Sequence, residues 1–277
     1  LQGCTELGYY YQSAHGHLSI MAASEPIDEL LTGEDLTDKR RKQLEQARAI
    51  RQYASEHLGL PKNDSYTEYS ELGRRYAVWS VVATEPYSMR PKEWCFPVVG
   101  CVTYRGYFDE AEANGYGEEL KEQGMDVYVG GVQAYSTLGW FDDPVVSSML
   151  DRGDILFAEV VFHELAHQKL YFKNDTDFNE AFATVVGEYG VRQWLQETNP
   201  DALQRYERWL GQKDEFIRLL KQTSGELREV YASNDDPTVL QREKDLAIER
   251  LKQRYQQMKQ SWGGKIAYDK WFDKPVN

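Results

Sequence analysis

His163 and His167 stand four residues apart, with Glu164 directly after the first, inside an apolar run from Ile155 to Phe172. On a helix, residues four apart share one face, so both imidazoles can point at the same place. Glu164 is one step round from His163, close to that place without being a natural ligand. Two neutral nitrogen donors suit zinc, which lowers the pKa of a bound water to about 7. A neighbouring carboxylate can then take the water's proton as it attacks an amide carbonyl. The pattern therefore predicts His163 and His167 as metal ligands and Glu164 as a general base. The bland alternative is an ordinary helix that happens to carry two of the chain's five histidines. Against it, the run is apolar enough to be buried, where two histidines and a glutamate without a metal are costly.

A catalytic zinc usually has three protein ligands and one open position. Twelve residues after His167, Asn179-Glu180-Ala181-Phe182-Ala183 opens the next apolar helix. Here the chain resembles the gluzincin metallopeptidases, whose third ligand is a glutamate at the start of a following helix, and the resemblance implies that role for Glu180. A competing reading has Asp177 capping this helix and Glu180 reaching back at the third helical position of a capping box. The flanking Phe178 and Phe182 suggest a buried helix end, which favours the ligand. Glu188 lies too far along the same helix to share the ion. Taken with Gly139-Trp-Phe-Asp-Asp-Pro144 and Cys101-Val-Thr-Tyr-Arg-Gly-Tyr-Phe108, the pattern is similar to a family of bacterial lipoproteins predicted to be aminopeptidases. That resemblance implies a zincin-like core, a Zn2+ cofactor, peptide substrates, and a strand near 126–135 that lines the cleft. The alternatives kept open are an envelope endopeptidase and a non-catalytic, lipid-anchored zinc protein. Glu164, and the lack of a fourth donor near the motif, favour catalysis.

Other residues carry weaker signals. Tyr104, Arg105 and Tyr107 read as packing residues of a strand. Asp142-Asp143-Pro144 reads as a helix cap, His57 as the close of a helix, and His15 and His17 as residues outside the site. Tyr189 shares a helix with Glu180, which alone does not aim it at the metal.

The 277 residues exceed a typical single domain, and a 41% hydrophobic fraction supplies a sizeable core. A net charge of −13 argues against nucleic acid and anionic membranes as partners. Leu1-Gln2-Gly3-Cys4 resembles the end of a lipoprotein signal, with Cys4 as the lipid anchor. Cys95 and Cys101 flank a loop short enough for a disulfide between neighbouring strands, as an exported protein would favour. With Thr5 after the cysteine, the expected location is the periplasmic face of the outer membrane.

These residues need elements to position them. Helices are expected over 8–24, 36–58 with Asp35 as cap, and 108–123. Strands are expected at Tyr76–Thr84, Val98–Tyr104 and Met125–Tyr135. Everything after Pro144 reads as helical, ending in a long antiparallel pair over 200–233 and 237–262. The expected class is α+β: a small mixed sheet packed on the metal-binding helix, with a C-terminal helical hairpin. Residues 1–150 would form one wall of the cleft and residues 151–277 the helical metal-binding region and hairpin, either as two domains or as one continuous domain.

Overall fold

The computed structural model describes residues 2–96, 100–134, 136–137, 141–173, 175–233, 236–264 and 268–272, with side chains described from residue 8 onward. The expectations for the Cys4 side chain and for Gly139-Trp140 lie outside the described residues. The chain is mixed α+β, with small sheets and a long helical C-terminal region. In order, the elements begin α1 (Gln2–Ala22), β1 (Glu25–Pro26), α2 (Ile27–Thr32), α3 (Asp38–Glu56), β2 (Glu68–Ser70) and β3 (Val78–Thr84). They continue with β4 (Trp94–Phe96), β5 (Gly100–Val102), β6 (Arg105–Tyr107), α4 (Glu110–Glu122) and β7 (Asp126–Val132). Then come β8 (Val145–Val146), α5 (Ser147–Leu150), α6 (Asp154–Lys169), α7 (Thr176–Thr198), α8 (Pro200–Ser233) and α9 (Pro237–Ser261). Sheet orders are β1-β2-β8, β6-β3-β7 and β4-β5. No described helix is long and apolar enough to cross a membrane.

Contacts divide the chain into two compact units. The first comprises residues 1–80, 106–113 and 130–203. Its centre is α6, where Phe157, Ala158, Val161, Phe162, Leu165 and Ala166 are all buried. Apolar residues on every side mark a helix enclosed by neighbours rather than one lying on a surface. Those neighbours are α7 and α3, and α3 buries Leu44, Ala47, Ile50 and Ala54. Each large aliphatic or aromatic side chain so buried contributes about 1.5–3 kcal/mol. Helix α6 starts after Gly153, whose φ of 84° lies where a side chain is disfavoured.

Gly187 brings the backbones of α6 and α7 together. A Cβ there would lie 3.0 Å from the Glu159 carbonyl oxygen and 3.4 Å from the His163 Cβ. Valine at this position must push the helices apart, because a backbone carbonyl cannot swing away as a side chain can. Gly187→Val is expected to destabilise the fold by roughly 1–3 kcal/mol, read as a lower thermal midpoint. Gly211→Val is the control, since a Cβ there meets nothing within 4 Å. Equal midpoints for the two variants would show that the close approach is not needed.

Several local expectations need correction. Helix α3 begins at Asp38, and its cap is Thr37 rather than Asp35: the Thr37 hydroxyl accepts the Arg40 N–H at 3.2 Å. Arg41 donates to the carbonyls of Leu31 and Gly33 at 2.6 Å each and ties α2 to α3. The chain after Pro144 is not wholly helical. Val145 and Val146 form β8, pairing in parallel with Tyr69 and Ser70, while β1 pairs antiparallel on the other side of β2. Two residues are too few for a period to show. Buried Arg51 organises the segment that leads into β2, donating to the carbonyls of Ser65, Pro61 and Asn63 at 2.7–2.9 Å. Its guanidinium thereby satisfies carbonyls that would otherwise be orphaned.

The second unit comprises residues 81–105, 114–129 and 204–277. Strands β4 and β5 are antiparallel, with Cys95 opposite Cys101, and a disulfide joins the two. The Trp94 indole donates to the Tyr116 hydroxyl at 2.9 Å. Helices α8 and α9 run antiparallel: Glu226 meets Arg254 at 2.7 Å, and Trp262 donates to Glu215 at 2.8 Å. Phe216 and Leu219 of α8 pack on Leu251 and Tyr255 of α9. Pro237 opens α9 behind the cap Asp236, whose side chain accepts the Thr238 N–H. Lys244 is buried and its ammonium is held by Asp126 at 2.7 Å.

Candidate metal centre

His163 and His167 project from one face of α6, with their Nε2 atoms 3.2 Å apart and their rings nearly perpendicular at 84°. From α7, Glu180 places one carboxylate oxygen 3.3 Å from the His163 Nε2 and the other 3.5 Å from the His167 Nε2. One donor atom from each of the three residues lies within 4.8 Å of the others. His167 is buried, His163 is half-buried and Glu180 is exposed, so the cluster opens to solvent on its carboxylate side. Burial pushes His167 below the ordinary histidine value, while the Glu180 charge opposes the shift. A neutral imidazole with a free nitrogen lone pair is the form that binds a cation. Among the described residues the buried His167 Nδ1 has no hydrogen-bond partner.

The turn before α7 sets Glu180 in place. Asn179 is buried and clasps the turn twice: its side-chain oxygen accepts the Phe172 N–H, and its side-chain amide donates to the Phe172 carbonyl, both at 2.8 Å. The helix cap is Asp175, which accepts the Phe178 N–H at 3.1 Å, and not Asp177. The box position three residues after the cap is then Phe178, and Glu180 lies beyond it. The capping-box account of Glu180 therefore fails. The expected buried helix end is also corrected: Phe178 is exposed, with its ring 5.1 Å from Phe172 and 6.2 Å from Phe182.

Glu164 sits behind the cluster. Burial pushes its carboxyl up to about 7, a hydrogen bond with Ser136 opposes the rise, and the charges of Glu180 and Asp143 add to it. Asp143, read from sequence as a cap, caps nothing: α5 follows Val146 and has no side-chain cap. Asp143 is buried instead and accepts from the Thr137 N–H at 2.8 Å and the Ser136 hydroxyl at 3.3 Å. Desolvation raises its pKa, against the hydrogen bonds from Thr137 and Ser136. Its other carboxylate oxygen has no partner among the described residues.

Tyr66 completes this buried group, and its sequence neighbourhood carries no signal of that role. It is fully buried, and its φ of 63° is rare for a bulky side chain. Its N–H donates to the Asp143 carbonyl at 2.6 Å. Desolvation, then the charges of Glu164 and Asp143, hold its hydroxyl well above the ordinary tyrosine value, while Ser136 pulls the other way. A phenol so placed remains a proton donor beside two carboxyl groups. Backbone strain of this kind persists only where the surroundings over-determine it. Nothing in the text Ser65-Tyr66-Thr67 announces that conformation.

The remaining residues fall outside the cluster. Tyr104 is about half exposed, the Arg105 guanidinium lies 4.7 Å over the Tyr116 ring, and Tyr107 packs on Tyr9. His15 stacks on Tyr11, His17 meets Phe141, and His57 closes α3. Glu188 pairs with Arg192 at 3.7 Å. Tyr189 lines a separate cavity with Tyr53 and His57.

No curated protein and no solved structure matches the chain. Residues 8–277 match a protein family described as "Putative aminopeptidase". That span includes both helices of the histidine–glutamate cluster and nearly all of the chain, which therefore belongs to the putative aminopeptidase family.

Proposed function

We propose that this family member is a zinc-dependent aminopeptidase of gluzincin type, with a zincin-like core and with His163, His167 and Glu180 as the ligands. The closeness of the donors carries the reading: the two Nε2 atoms are 3.2 Å apart, and each has one of the Glu180 oxygens at 3.3 or 3.5 Å. Ligands at about 2.0–2.1 Å around a tetrahedral ion lie about 3.3–3.4 Å apart, and each of these separations is close to that. Zinc held there would supply a Lewis acid that acidifies water and polarises a carbonyl.

The chain's own residues supply the proton chemistry. Glu164 accepts a proton from the water that attacks the peptide carbonyl carbon. It then returns that proton to the leaving amine as the C–N bond breaks. A carboxyl raised towards neutrality is suited to both steps. Ser136 hydrogen-bonds Glu164, the Asp143 charge nearby helps keep its carboxyl raised, and the fully buried Tyr66 lies near both carboxyl groups.

The envelope assignment is part of the same proposal. The Cys95–Cys101 disulfide supports an oxidising compartment, and Leu1-Gln2-Gly3-Cys4 supports a lipid anchor at Cys4.

Peptides with free and with acetylated N-termini, incubated with the protein and read by mass, test the activity. Single N-terminal residues should be released from free ends only, and a zinc chelator should abolish release. Internal cleavage of acetylated peptides would replace the exopeptidase with an endopeptidase. Zinc-loaded protein inert toward both sets would leave a non-catalytic zinc protein.

A further inference from the structure

A cavity of about 270 Å³ lies between the C-terminal end of α3 and the outer face of α7. Tyr189 is nine residues beyond Glu180, about two and a half helical turns, so the two point to opposite sides of α7. The cavity is thus separate from the histidine–glutamate cluster. Its lining is chemically specific. Glu197 supplies a carboxylate that accepts the Tyr53 hydroxyl at 3.1 Å and lies 3.9 Å from the His57 Nδ1. The Tyr53 and His57 rings stack face to face at 4.4 Å, forming a flat aromatic wall. Tyr189, more than half exposed, lines the same cavity. Leu58 and Val186 add apolar surface.

Two features set the charge balance. Among the described residues Glu197 has no lysine or arginine partner, in contrast to Glu188, which has Arg192. His57 and Leu58, at the C-terminal end of α3, also line it, and a helix C-terminus carries partial negative charge. A half-exposed carboxylate, a helix C-terminus and aromatic faces all favour a cation. Apolar walls favour one carried on a short carbon stem. Tyr53 remains a donor to Glu197 here, since burial, then Glu197, pushes its pKa up to about 12.

We propose that this cavity binds an organic cation, a primary ammonium or guanidinium on an aliphatic stem, with Glu197 as its counter-ion and Tyr189 covering it. The same chemistry is offered by a lysine or arginine side chain of a polypeptide and by a free amine.

Calorimetric or NMR titration of the intact protein with n-butylammonium tests this, at about pH 8.5 to stay above the ordinary histidine range. Neutral n-butanol is the comparison. Butylammonium should bind and butanol should not. Glu197→Gln should weaken binding roughly tenfold or more, as loss of a charged partner does. Tyr189→Ala should weaken it several-fold, with circular dichroism unchanged in both variants. A blocked tripeptide, acetyl-Ala-Lys-Ala-amide, separates the sources. Binding at least tenfold tighter than butylammonium assigns the site to polypeptide side chains, and equal or weaker binding assigns it to free amines. Butanol binding as well as butylammonium, no binding of either cation, or affinity unaffected by Glu197→Gln would overturn the proposal. None of these readings requires hydrolysis, so the site stands or falls apart from the peptidase assignment.

Discussion

Glu164→Gln should leave about one zinc ion per chain in place and lower peptide turnover roughly 10²–10⁴-fold, the usual worth of a positioned acid–base group. Glutamine matches glutamate in shape, and its side-chain amide can still hydrogen-bond Ser136. What it loses is the ability to take up a proton. Glu164 is not among the three residues whose donor atoms converge, so metal content should not follow activity. The burial that pushes the Glu164 carboxyl up also makes a neutral amide easy to accommodate there, and the folded state should lose no stability. Metal analysis and steady-state kinetics on the same preparation separate the two quantities. Turnover equal to that of the parent protein would remove Glu164 from the reaction, and a parallel loss of zinc would make it a ligand instead.

That separation matters because the two roles were legible in the sequence to different depths. The four-residue spacing of His163 and His167 within a long apolar run survives translation into structure, since helix periodicity alone places both rings on one face. Long elements were legible for the same reason: α8 and α9 lie within a residue of their expected bounds, and the apolar run from Ile155 to Phe172 contains all but the first residue of α6. The short strands of the β1-β2-β8 sheet were not. Strands β1, β2 and β8 exist only through pairing between distant segments, and no local pattern encodes Tyr69 opposite Val145. The Cys95–Cys101 pair was legible because its partners are close in sequence.

The group behind Glu164 was hidden for another reason. Tyr66 carries a backbone conformation that no residue type announces, and Asp143 is indistinguishable in text from a helix cap. Their roles follow from burial. A carboxyl sealed beside Ser136 and Tyr66 must be satisfied there or change its protonation, whereas the same residue in a solvated cap need do neither. The cap of α7 shows the same limit at one-turn scale. Asp175 and Asp177 are equivalent as letters, yet the choice between them moves Glu180 in or out of the box position.

Glu180→Ala should abolish stoichiometric zinc binding, while Glu188→Ala should leave it intact. With two histidines alone the ion keeps only two protein donors and loses the charge that offsets its own. Second-layer residues at zinc sites are worth 10–100-fold in affinity, so losing a direct ligand should exceed roughly 100-fold. The fold should survive the change. Glu180 is exposed, it is not the helix cap, and the Asn179 clasp on Phe172 holds the turn without it. Glu188 lies eight residues further, about 12 Å along the axis, and its carboxylate is engaged with Arg192. Helical content by circular dichroism should match the parent in both variants. Retained affinity in Glu180→Ala, or loss confined to Glu188→Ala, would show the ligand assignment to be wrong. Loss of zinc from Glu180→Ala alone would tie the ion to the cluster that α6 and α7 bring together, where Gly187 leaves room for the two backbones to approach.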